Sequence, residues 1–121
     1  MPADTTSTFL RALGASGALA CGIAVGLGAY AAHVAEVQAQ HRIGLAALFL
    51  FGHGLALLIL APRARSRMQQ VALMGLLLGV LLFSGSLALA ALFGTSTLFA
   101  PFGGSLLIIG WLVYAVSMLI G

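Results

Sequence analysis

Few residues in this 121-residue chain have side chains that do chemistry. They are Cys21, His53, Ser84, Ser86, Trp111 and Tyr114, together with His33, Glu36 and His41 in one polar stretch. His53 lies in Gly52-His53-Gly54, inside an otherwise apolar run. An imidazole surrounded by hydrocarbon must find a hydrogen-bonding partner, and an ionisable group at that depth is a functional-site candidate by default. Two readings follow. In one, a neutral His53 bonds to Ser84, Ser86 or a carbonyl and fastens helices together. In the other, His53 and Ser84 line a proton or small-solute path, or His53 binds a metal or haem with Cys21 as the nearest soft ligand. The spans carry no carboxylate to compensate an imidazolium, which favours the first reading, with Ser84 as the leading partner.

The same inventory excludes several chemistries. A serine hydrolase needs an acid to orient its histidine, so Ser84 and His53 make at best a dyad. No catalytic residue is assigned and an enzyme is not expected. One cysteine forbids an intrachain disulfide, a CxxC pair and a cysteine-based zinc finger. No Gly-rich phosphate loop with a lysine exists, since the chain has no Lys. A buried carboxylate in the first span, as small multidrug transporters require, is missing, and so are the buried arginines of a membrane glutathione transferase. His33, Glu36 and His41 form a possible Zn²⁺ or Cu²⁺ ligand set, but their spacing suits solvated surface residues better. No cofactor is expected.

The elements that must position these residues follow from composition. Hydrophobic residues make up 62% of the chain, charged residues 6%, and the mean hydropathy is +1.18. Soluble domains carry about 25% charged residues. The expected architecture is all-α: an integral membrane four-helix bundle forming one domain, with spans at 10–32, 43–61, 70–93 and 101–120. Each is close to the ~20 residues that cross a bilayer core. The polar segment His33–Arg42 reads as a short interfacial piece between helices 1 and 2, and Pro62 stops the second span. Ala18-Leu19-Ala20-Cys21 has the look of a lipoprotein leader, but the apolar run continues past Cys21, so a span is expected instead.

Small residues recur within the spans. Gly14, Ala18, Gly22 and Gly26 repeat every fourth position, and Gly75 and Gly79 form a similar pair, so both sets are expected at helix contacts. The five cations are Arg11, Arg42, Arg63, Arg65 and Arg67. Three of them flank Pro62 and Ser66 in one loop, which the positive-inside rule puts in the cytoplasm together with both termini. So few charges offer no face for nucleic acid. The expected partners are the lipid bilayer and a second copy or a larger membrane complex. Counting the helical rise inward puts Cys21, His53 and Ser84 about 13–16 Å deep, level with Trp111 or Tyr114, as an intramembrane polar layer that also takes in Ser86.

Several motifs carry a resemblance. Gly28-Ala29-Tyr30-Ala31-Ala32-His33, His53-Gly54-Leu55, Leu82-Phe83-Ser84-Gly85-Ser86-Leu87, Pro101-Phe102-Gly103-Gly104 and Gly110-Trp111 occur in that order. This arrangement resembles the domain-of-unknown-function 423 family, YgdD-like small inner-membrane proteins of bacteria. Tyr30 and Ala31 stand where that family usually has Phe and Gly, and Ala100 where a Thr commonly precedes the Pro. The resemblance implies four spans and the bacterial cytoplasmic membrane, and no settled biochemical activity.

Overall fold

The computed structural model describes residues 5–120. Four helices run in sequence: α1 Thr5–Ala31, α2 Val37–Leu60, α3 Arg67–Phe93 and α4 Ala100–Ile120. A 3-10 turn, Ala61–Arg63, extends α2. All four are long and apolar enough to cross a membrane. At 1.5 Å per residue the 27-residue α1 and α3 are about 40 Å long, so they project beyond a ~30 Å hydrocarbon core.

The helix ends follow local chemistry. Glu36 caps α2, accepting from the backbone N–H groups of Gln38 and Ala39 at 3.0 and 2.6 Å. The connection between α1 and α2 is thereby confined to the short segment 32–36. Val37–Arg42 is the start of α2 rather than a separate interfacial helix, because Glu36 satisfies donors that would otherwise be orphaned there. Gln40 reaches back to the Ala31 carbonyl at 3.3 Å and ties this corner shut. Ser66 caps α3 through Gln69 N–H at 3.1 Å. Gly94 ends α3 in the left-handed region at φ 70°, its N–H bonded to Ala90 O at 2.9 Å. Pro101 sits in the first turn of α4, where its missing N–H costs nothing.

The helices pack in chain order as two hairpins, α1 against α2 and α3 against α4, joined where α2 meets α3. The shared interior contains Leu13, Leu50, Leu57, Leu73, Leu76 and Val80, all buried. Large apolar side chains such as Leu19, Leu48 and Ile108 point outward, each more than 60% exposed. That inversion suits lipid, where burying leucine against leucine gains little over burying it against acyl chains and close packing of small residues decides where helices meet.

Each hairpin is pinched at a glycine pair. In the first, a Cβ added to Gly17 would lie 2.5 Å from Gly54 O, and one added to Gly54 would lie 2.7 Å from Gly17 O. In the second, a Cβ on Gly103 would collide with Phe83 N and lie 2.7 Å from Gly79 O. A Cβ added to Gly79 would come within 3.0 Å of Leu107, and one added to Gly75 would lie 4.0 Å from Gly110 and Leu106. The α1 stripe needs correction. Gly14 is buried, but Ala18, Gly22 and Gly26 are exposed, and a Cβ on Gly22 or Gly26 would meet nothing within 4 Å. A strict four-residue repeat advances about 400° per step, so the stripe drifts by about 120° from Gly14 to Gly26 and leaves the interface. The buried face of α1 instead follows Leu13, Gly17, Ala20, Ala24 and Ala31, at alternating spacings of three and four up to Ala24.

Candidate functional site: a histidine–tryptophan bridge

His53 stands next to the Gly17–Gly54 crossing on α2, and both of its ring nitrogens are engaged. Nδ1 is 2.8 Å from the carbonyl of Phe49, one turn back on the same helix. Nε2 is 3.0 Å from Nε1 of Trp111 on α4. A carbonyl can only accept and an indole N–H can only donate, so this pair of contacts fits one species, the neutral Nδ1–H tautomer. Aromatic rings surround the bond. Phe49 stacks on His53 with centroids 5.9 Å apart and packs on Phe83 at 4.6 Å. Tyr114 meets Trp111 edge-on at 6.4 Å.

Ser84 does not pair with His53. Its hydroxyl, 2% exposed, donates to Ala46 O on α2 at 2.9 Å, and the imidazole has no nitrogen left to offer it. The expected Ser84–His53 bond is therefore replaced by two separate fastenings, of α3 and of α4 onto α2. Register explains this. Ala46 lies seven residues from His53, about two helical turns, so Ser84 sits nearer the α2 N-terminus than a depth count places it. Ser86 is buried with no hydrogen-bond partner. It makes no bond to His53.

Cys21 completes the pattern from the other side, its thiol 3.7 Å from Phe51 O on α2. One polar side chain from each of the other helices thus reaches α2: Cys21 from α1, Ser84 from α3, Trp111 from α4. Of the polar groups chosen from the sequence, Trp111 meets His53, whereas Cys21 and Ser84 reach carbonyls of α2. Phe49, Ala46 and Phe51 were not foreseen, because all three act through carbonyls, which sequence does not distinguish. Phe49 had a usable signal, being four residues before His53.

Among the described residues, no three His, Cys, Asp or Glu side chains come together. His33, Glu36 and His41 are not assembled into a ligand set, and the carboxylate of Glu36 is committed to the α2 cap. Glu36 is also 17 residues from His53 on the same helical run, about 26 Å away along the axis. It cannot orient the imidazole.

Comparison with known proteins agrees with this architecture. The family described as "Protein of unknown function (DUF423)" matches residues 27–104. The UPF0382 membrane protein of Staphylococcus epidermidis is 38% identical over 111 residues, covering 85% of this chain and 91% of its own. That of Staphylococcus aureus is 36% identical, covering 84% and 89%. The Haemophilus influenzae relative is 33% identical, covering 75% and 80%. No solved structure matches the chain. With four apolar helices, a family match over residues 27–104 and relatives aligned across most of their length, the chain is a membrane protein and belongs to the DUF423 family.

Proposed function

We propose that this protein is a structural or accessory component of the bacterial cytoplasmic membrane, associating with further copies of itself or with a larger membrane complex, and that His53 serves the fold rather than a transport path. The observation that carries this reading is the complete engagement of the imidazole. A proton relay must accept a proton at one nitrogen and release it from the other, and here both are held by protein groups. The remaining intramembrane donors, Ser84 and Cys21, reach α2 carbonyls. Both termini belong in the cytoplasm under this reading, since Arg11, Arg63, Arg65 and Arg67 gather at one end of the bundle and Arg42 alone lies at the other.

Reconstitution into liposomes loaded with a pH-sensitive dye tests the role of His53. The wild-type protein is expected to leave an imposed pH gradient as intact as empty liposomes do, and His53→Phe is expected to lower thermal stability. A proton flux that the wild type supports and a folded His53→Phe variant loses would overturn this reading. Purification in mild detergent tests the association: a strict monomer that binds nothing would contradict it.

A further inference from the structure

We propose that the groove between the N-terminal halves of α2 and α4 seats one anionic phospholipid, its headgroup on Arg42 and an acyl chain running inward between the helices toward Trp111. The groove has a volume of about 590 Å³, within the size range of ligand sites. It is lined by His41, Arg42 and Thr97, by Ser105, whose hydroxyl donates to Pro101 O, and by apolar residues, among them Leu45, Phe83 and Ile108. This is the division a phospholipid needs, a charged and hydroxylated rim above a hydrocarbon slot.

Charge complementarity selects the anionic class. Arg42 is half-buried, and no hydrogen bond or ion pair to its guanidinium is formed among the described residues. The one carboxylate among those residues, Glu36, is occupied by two backbone N–H groups of α2. Arg42 is also the cation that stands apart from the other four, which gather at the opposite end of the bundle. Its position is therefore explained neither by an internal salt bridge nor by the arginine cluster. A planar guanidinium at this height meets a phosphodiester directly, and juxtamembrane cations attract anionic headgroups.

The groove has a defined lower end. Ile108 lines it, and Trp111 is three residues further on, about 4.5 Å along α4, where its bond to His53 draws α2 and α4 together. Trp111 is the single tryptophan of the chain, so the protein carries its own reporter for an acyl chain in this slot.

Quenching of Trp111 fluorescence by brominated lipid tests the proposal. The full-length protein is reconstituted into phosphatidylcholine vesicles containing a small fraction of brominated phosphatidylglycerol or, in parallel, of brominated phosphatidylcholine. The apparent affinity for the anionic lipid is expected to exceed that for the zwitterionic one by about fivefold, the magnitude one interfacial cation supplies. Arg42→Gln is expected to abolish the excess and Arg42→Lys to keep most of it. Gly104→Leu, at a position where an added Cβ has ordinary contact distances of 3.7–3.9 Å to Phe83, is expected to fill the slot and abolish it as well. Equal quenching by the two lipids in the wild type, or an excess that survives Arg42→Gln, would overturn the proposal. An excess that survives Gly104→Leu would overturn the seating of a chain in the groove.

Discussion

Trp111 donates its indole N–H to Nε2 of His53 across 3.0 Å, joining α2 to α4, two helices that do not otherwise pack closely along their backbones. The hairpins hold α1 to α2 and α3 to α4. The bridge is therefore a tie between hairpins, and its removal should be felt in how they stay together. Hydrogen bonds between membrane helices contribute about 0.6 kcal/mol on average and up to about 1.7. Trp111→Phe keeps a ring while deleting the donor, and it should destabilise the protein by about 1 kcal/mol in detergent unfolding. A double-mutant cycle with His53→Phe should return a coupling of about 0.5–1.5 kcal/mol, whereas additive losses would mean that the bond contributes nothing.

The two buried serines of α3 should behave oppositely. Ser84→Ala deletes the bond to Ala46 O and should cost about 1 kcal/mol. Ser86 is buried without a partner, so Ser86→Ala removes an unsatisfied hydroxyl and should be neutral or stabilising. Parallel thermal unfolding of the two variants checks the contrast.

Glycines that look alike in sequence should separate into two classes. Gly17→Leu and Gly103→Leu place atoms where the facing backbone stands, so both should reduce the yield of monodisperse protein severalfold or abolish it. Gly22→Leu and Gly26→Leu extend into open space and should leave size-exclusion profiles unchanged. If all four variants fail alike, the helix pairing described here is wrong.

Orientation can be read with a membrane-impermeant maleimide. In a Cys21→Ser background, a cysteine replacing Ser96 in the α3–α4 loop should be labelled without permeabilisation. One replacing Ser66, beside the arginines, should be labelled only after permeabilisation. The reverse pattern would invert the topology.

The four spans were legible because composition and length alone identify a bilayer-crossing helix, and Pro101 and Gly94 punctuate as their backbone chemistry requires. That His53 needs hydrogen-bond partners was legible for the same reason, as a polar ring in hydrocarbon. Its partners were less so. Depth counted from the span ends shifts with where each span begins, and rotation about the axis is set by packing; register then puts Ser84 against Ala46 O, while Trp111 faces the imidazole. The α1 face was misread on the same ground, since a four-residue repeat of small side chains looks like a stripe in sequence and winds around the helix in space. Gly17, one turn before Cys21, holds the contact that Ala18 was expected to make.

Whether His53 is a fixed neutral fastener can be read by ¹⁵N NMR of histidine- and tryptophan-labelled protein in bilayers. One His53 species is expected, with a proton on Nδ1, a bare Nε2, and a through-bond coupling from Nε2 to the Trp111 indole N–H. A proton on Nε2, or averaging between tautomers with the indole uncoupled, would contradict it.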